Sequence, residues 1–232
     1  MPVQSDNMSN EAVKKFYNNN AALIKKNYQP YNTVVLDQSI SQHFIRLFLF
    51  AELKDNSKIL DIGCGNGFLL KEISEHYQNC ELHGIDISQN QLLYAKNIKT
   101  YCIDIEKFET DEKFDFIFCM EVIGYANDQF QTIDKILSML NTNGVFICSS
   151  FIYNEQDTWQ QNIAKHKITS INKEDSYYYN QMSIKDLKKY NAEIYNKEKS
   201  INFHYFNFAE KRGLFWQKEE VLKKHILFKI KS

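Results

Sequence analysis

Apolar positions along this chain switch between two periods. From Val34 to Leu53 they recur at 36, 40, 44, 47, 48 and 51, the spacing of one helical face. Lys58-Ile-Leu-Asp61 then reads as a short strand that runs directly into Gly63-Cys-Gly-Asn-Gly67. Phe68, Leu69, Ile73 and Tyr77 predict a helix, and Glu81–Asp86 a second strand. Ser88 and Gln91 stand in capping-box register before a helix carrying Leu92 and Ala95. Further strands are predicted at Tyr101–Ile103 and Asp115–Cys119, and a helix at Ile133, Ile136, Leu137 and Leu140. Asn143-Gly144 turns the chain into a fifth strand, Val145–Ser150. Strands alternating with helices predict an α/β fold around a mostly parallel sheet, with helices on both faces.

Beyond residue 150 the periodicity weakens. Ser183 and Asp186 predict a capped helix through Lys189, with Asn191 as its left-handed end. Glu193–Lys199 and His225–Lys231 read as two closing strands, the last of them antiparallel. Four segments follow: an N-terminal helical piece (1–33), a core (34–150), an aromatic-rich insertion (151–192) and the closing strands (193–232). Pro30 separates the first piece from the core.

Composition narrows the possibilities. The 232 residues are 44% hydrophobic and carry a net charge of −1, enough for a real core and without a strongly basic coat. Lysine supplies 26 of the 28 basic residues, which removes most of the bidentate forks that phosphate readers favour. Five scattered cysteines without a CxxC pair indicate neither a disulfide framework nor a zinc site, and no metal is expected. The polar start and the shortness of the apolar run Phe44–Ala51, which contains Arg46, predict a cytoplasmic protein without a leader or membrane span.

Four of only seven glycines, at 63, 65, 67 and 84, fall within twenty-two residues, where the backbone must turn sharply or approach something closely. A glycine loop between a strand and a helix seats a ligand near the helix N-terminus. The dinucleotide spacing GxGxxG is broken, because Phe68 stands where the third glycine belongs. Asp61 precedes the loop, and a carboxylate there repels a pyrophosphate but attracts an ammonium or sulfonium. The sign of that charge opposes NAD.

Ile59-Leu-Asp-Ile-Gly-Cys-Gly-Asn-Gly67 resembles the first motif of the class I S-adenosylmethionine-dependent methyltransferases. His83-Gly-Ile-Asp-Ile-Ser88 with Ala95-Lys96 resembles their second, Tyr101-Cys-Ile-Asp104 their third, and Phe114-Asp-Phe-Ile-Phe-Cys-Met-Glu-Val-Ile123 their fourth. Leu140-Asn-Thr-Asn-Gly144 stands where the family has Leu-Lys-Pro-Gly-Gly. The resemblance covers residues 36–150 and implies a Rossmann-like sheet with S-adenosylmethionine as cofactor and S-adenosylhomocysteine as product. It places Asp61, Gly63, Cys64 and Gly65 at the methionine end, Asp86 on both ribose hydroxyls with Ile87 beside it, and Asp104 with Ile105 at the adenine. Cys119, at the end of the fourth strand, is expected at the cofactor as well. In many relatives an N-terminal segment folds over the cofactor, which here brings in Tyr17 and Tyr28. Read singly, Asp86 and Asp104 are equally well strand-end or capping carboxylates, and the N-terminal helix equally well packs on the sheet edge.

Gly124-Tyr125 replaces the acidic residue and histidine that many small-molecule methyltransferases carry, so no role of that histidine transfers. Tyr125 either lines the substrate pocket or packs. If the nucleophile arrives protonated, Glu121, His204 and His166 are the candidate bases. The alternatives are a helix-start carboxylate and ordinary surface histidines. The aromatics Phe151, Tyr153, Trp159, Tyr177–Tyr179 and Phe203–Phe208 either wall an apolar substrate or form the insertion's own core.

A small-molecule acceptor is the leading expectation. Residues 185–232 carry a net of +6 against −7 for the remainder, but the basic residues alternate with acids and apolars, as on a solvated face. The Asn-Pro-Pro-aromatic motif of base-amino methyltransferases is missing after the fourth strand, which opposes an RNA substrate. The remaining rivals are a catalytically silent cofactor-binding subunit and, remotely, an NAD-dependent oxidoreductase.

Overall fold

The computed structural model describes residues 10–27, 47–153, 165–169, 176–195, 200–210 and 221–232. The strands are β1 (Lys58–Ile62), β2 (Glu81–Asp86), β3 (Lys99–Cys102), β4 (Phe114–Met120), β5 (Leu140–Tyr153), β6 (Lys165–Thr169), β7 (Ser176–Asn180), β8 (Met182–Ser183), β9 (Ser200–Glu210) and β10 (Val221–Lys231). The helices are α1 (Asn10–Asn27), α2 (47–51), α3 (Phe68–His76), α4 (Gln89–Leu92), α5 (Gln129–Ser138) and α6 (Ile184–Tyr195). The main sheet runs β3-β2-β1-β4-β5-β10-β9, and β8 joins the far end of β5. The strands β3 to β5 are parallel, and β10 runs against both of its neighbours.

The central strands are apolar on both faces because helices cover both. Alternation sends Phe116, Phe118, Val145 and Ile147 to one side, where they pack on α2 and α3 through Phe48, Leu70 and Ile73. Ile117, Cys119, Phe146 and Cys148 point to the other, toward Ile133 and Ile136 of α5 and Leu187 of α6. The Asp128 side chain caps α5 by accepting from the N–H groups of Phe130 and Gln131 at 3.1 and 3.0 Å. No described helix is long and apolar enough to cross a membrane.

Several elements differ from expectation. The helix after Ser88 ends at Leu92, and Ala95 sits in the following turn, so close to Gly67 that a Cβ on that glycine would lie 3.0 Å from Ala95 Cβ. The fifth strand starts at Leu140, already paired with Phe114, and residues 141–144 bulge out around Asn143 at φ 62°. The Ser183 cap is present, accepting from Asp186 N–H at 3.2 Å, but the helix runs through Asn191 to Tyr195. Leu187 and Tyr190 bury its face against the core, and the Tyr190 hydroxyl donates to Asp134 at 2.7 Å, so Glu193 is helical rather than in a strand. The first closing strand therefore begins at Ser200. The insertion contributes the β6–β7 ribbon, whose β7 backbone lies beside α1 and the turn at Ile123–Tyr125. Of the helix expected over 34–53, only 47–51 lies within the described residues.

Candidate active site

The strand order changes direction between β1 and β4, and a crevice opens at the carboxyl ends of strands flanking such a point. A cavity of about 220 Å³ lies there, lined from β1, β2, β4, the glycine loop and α1. Gly63, Gly65 and Gly67 take φ of 72°, 54° and 77°, and this left-handed backbone folds the loop back so that α3 starts at Phe68. Gly63 admits no side chain, because a Cβ there would come 2.2 Å from Val122 Cγ2. Its N–H and that of Cys64 both donate to the Ile85 carbonyl, tying the loop to the end of β2.

Asp86 ends β2 and faces the cavity. Its Oδ2 accepts from Gly65 N–H at 2.9 Å and its Oδ1 from Ser88 N–H at 2.7 Å. Burial still pushes its pKa up to about 6, because these donors offset only part of the lost hydration. Asp61 is 4% exposed, and burial together with the charge of Asp86 holds its carboxyl well above the usual range. Cys64 also lines the cavity, its thiol raised by burial and by the two carboxylates. Asp104 caps a 3-10 turn, accepting from Glu106 N–H at 3.0 Å, and its other oxygen accepts from the Asn10 side-chain amide of α1. Ile87 and Ile105 line the same end.

Helix α1 crosses above these residues. Val13 and Phe16 are buried against Ile87 and Tyr125, and the Tyr17 and Tyr125 hydroxyls lie 3.0 Å apart. The Asn18 side-chain oxygen accepts from Ser88 Oγ at 2.8 Å and from Asn90 N–H at 3.1 Å. At the end of β4, Glu121 adopts φ 59° and lines the cavity. The Ser149 hydroxyl donates to Glu121 Oε1 at 2.8 Å, while Glu121 N–H lies 3.1 Å from both oxygens of Ser149.

The structure thus brings together Tyr17, Asp61, Gly63, Cys64, Gly65, Asp86, Ile87, Asp104, Ile105, Glu121 and Tyr125 around one cavity. Cys119 does not line it. Strand alternation turns that thiol into the core on the α5 side, opposite Cys148 of β5, and Met120 and Glu121 take the lining positions instead. His204 lies on β9, opposite Leu227 and separated from β4 by β5 and β10. Its side chain and those of His166 and Tyr177–Tyr179 lie outside the described residues, as do Tyr28 and Trp159.

Sequence reasoning missed Asn10, Asn18, Gln91 and Ser149. Gln91 is 2% exposed at the cavity, and its Oε1 has no hydrogen-bond partner among the described residues. A buried acceptor left unmade is costly, and it asks for a donor from a ligand. The donor set therefore fits S-adenosylmethionine: Asp86 and Gln91 offer acceptors to hydroxyls, and Asp61 and Asp86 offer negative charge to a cation. A pyrophosphate would set further anions against those carboxylates.

Away from the cavity, Glu81, His83 and Glu112 have the spacing of a cation site. Lys58 Nζ already lies 3.2 Å from Glu81 and 2.5 Å from Glu112, and Lys99 Nζ lies 2.8 Å from Glu112, so ammonium groups balance these acids.

Comparison with known proteins agrees with this geometry. The model of the methyltransferase domain family matches residues 53–199, and the chain belongs to that family. Its fold is that of the class I S-adenosylmethionine-dependent methyltransferases. The chain is 30% identical over 132 residues to the malonyl-[acyl-carrier protein] O-methyltransferase of Acetivibrio thermocellus, covering 54% of this chain and 46% of the relative. It is 33% identical over 101 residues to the (S)-tetrahydroprotoberberine N-methyltransferase of Eschscholzia californica, covering 40% and 28%. Among solved structures, DhpI in complex with SAM and HEP superposes with a TM-score of 0.67 at 14% identity, covering 98% of this chain and 99% of that one. The chain spans about half the length of the first curated relatives it matches, 46% and 47%.

Proposed function

We propose that this chain transfers the methyl group of S-adenosylmethionine to a small-molecule acceptor by in-line displacement. The observation that carries the reading is Asp86, half-buried at the end of β2 beside the glycine loop, with the buried Gln91 and Asp61 completing an acceptor-rich, anionic cavity. The bound sulfonium supplies an electrophilic methyl and a thioether that leaves without acid help.

The residues of the chain hold and orient. Asp86 and Gln91 accept from the ribose hydroxyls, each charge-assisted bond to Asp86 contributing about 1.5–3 kcal/mol and the neutral one to Gln91 about 1 kcal/mol. Asp104, with Ile105 beside it, meets the adenine end, and Asp61 with the glycine loop meets the methionine end. Helix α1 covers the nucleoside through Val13 and Tyr17, and we read residues 1–33 as a cap on the site. The acceptor then enters past β4, between Glu121 and Tyr125. Most of the acceleration comes from alignment in a site screened from water. The relative named as an (S)-tetrahydroprotoberberine N-methyltransferase supports an acceptor of small size.

The test is S-adenosylmethionine labelled in its methyl group, incubated with the full chain and a cell extract, then separated into small-molecule, RNA and protein fractions. Protein-dependent label in the small-molecule fraction supports the reading. Label in RNA alone overturns the acceptor class, and cofactor binding without transfer supports a silent subunit.

A further inference from the structure

Resting on the methyl-transfer reading, we infer that the acceptor is an amine, drawn in as its ammonium form and deprotonated by Glu121. The charge of the cavity carries this. Its described lining residues include four carboxylates, Asp61, Asp86, Asp104 and Glu121, and no lysine, arginine or histidine. The first three face the cofactor end, at the tips of β1, β2 and β3. Glu121 stands apart from them, just past the end of β4, on the side where the proposed acceptor enters. An acceptor carrying a carboxylate or phosphate finds no counter-charge among these residues and is repelled, whereas an ammonium is concentrated by the same field.

The backbone at Glu121 points the same way. Left-handed geometry is unfavourable for a residue with a Cβ, yet Glu121 holds φ 59° in the lining of the cavity. The bend is fixed by bonds between Glu121 and Ser149, and the Ser149 hydroxyl occupies one carboxylate oxygen at 2.8 Å. That carboxylate is thereby positioned rather than left to rotate. Tyr125, in the turn that follows Glu121, adds an aromatic ring to the cavity lining beside it, and an aromatic face favours a cation over an anion.

The step balances without another reagent. The ammonium gives one proton to Glu121, freeing the nitrogen lone pair. That pair forms the N–C bond to the methyl as the C–S bond breaks, and the bonding electrons stay on sulfur as the neutral thioether of S-adenosylhomocysteine. The product leaves as a methylated ammonium, and Glu121 returns its proton to water.

The test separates a small-molecule extract by ion exchange into cationic, neutral and anionic pools before any reaction. Each pool is incubated with the full chain and S-adenosylmethionine bearing a deuterated methyl, and new deuterated species are sought by mass spectrometry. The expected result is a product in the cationic pool whose fragments place the methyl on nitrogen. The parent amine should then show at least a tenfold lower kcat/KM with Glu121→Gln, with S-adenosylmethionine affinity by calorimetry unchanged. Deuterated product only in the anionic or neutral pool, or a methyl on oxygen, sulfur or carbon, overturns the amine assignment and leaves methyl transfer standing. No product in any pool removes the methyl-transfer reading and this inference with it.

Discussion

The hydroxyls of Tyr17 and Tyr125 meet at 3.0 Å although 108 residues separate them in the chain, and their rings pack edge to face with centroids 6.4 Å apart. The contact ties α1 to the turn after β4, so the helix bonded to Asp104 and Ser88 and the turn beside Glu121 hold each other. Removing either hydroxyl costs about 1 kcal/mol. Tyr17→Phe and Tyr125→Phe should each release S-adenosylhomocysteine several-fold faster in stopped-flow displacement. The double variant should release it no faster than either single one. Rates that multiply would show that the two tyrosines act independently.

Asp61 carries a stability cost. Its carboxyl is raised above the ordinary 3.8 by burial and by Asp86, and among the described residues no donor reaches it. A carboxyl raised on folding supports the fold at low pH, and that support is lost as pH rises from its unfolded value through its folded one. Asp61→Asn should therefore raise the melting temperature of the ligand-free chain by a few degrees at neutral pH. The same change should weaken S-adenosylmethionine binding about tenfold or more. A variant that is both less stable and normal in binding would remove Asp61 from the site.

Asp86 gives a pH signature. Its ligand-free pKa is about 6, and only the ionised carboxylate accepts from two hydroxyls. Affinity for S-adenosylmethionine should be flat above that pH and fall toward tenfold per unit below it. Asp86→Ala should bind roughly ten- to a hundredfold more weakly at pH 7.5, where tenfold is about 1.4 kcal/mol, and should lose this part of the pH dependence. Calorimetry from pH 5 to 8 reads both.

At Glu121 the backbone and the side chain make separable demands. Its φ of 59° suits glycine better than alanine by about 1 kcal/mol, while both substitutions remove the carboxylate. In urea denaturation Glu121→Gly should exceed Glu121→Ala in stability, and the two should be equally impaired in turnover. Equal stabilities would mean that the bend relaxes when the Ser149 contact is lost.

Much of the fold was legible because it rests on period. The strand expected at Glu81–Asp86 is β2 residue for residue, and the alternation of strands with helices announced a parallel sheet covered on both faces. The bulge at residues 141–144 read as a turn because Asn143-Gly144 carries turn chemistry, although Leu140 before it is already paired. Helix α6 outran Asn191 because burial of Leu187 and Tyr190 outweighs a local stop signal. At the cavity, the residues within short spacing of the glycine loop that the sequence singled out, Asp61, Gly63, Cys64, Gly65 and Asp86, lie together in its lining. Asn10 on Asp104 and Asn18 on Ser88 join positions 94 and 70 residues apart, and such polar contacts leave no periodic trace. Cys119 was misplaced because a strand end near the site was taken as facing it, whereas alternation turns that thiol to the core.

The most direct measurement is a calorimetric titration of S-adenosylmethionine, and separately of NAD, into the full chain at pH 7.5. One-to-one binding of S-adenosylmethionine, weakened by Asp86→Ala in a folded variant, with no heat from NAD, is the expected result. Binding of NAD in its place, or S-adenosylmethionine affinity indifferent to Asp86, would contradict the assignment of this cavity.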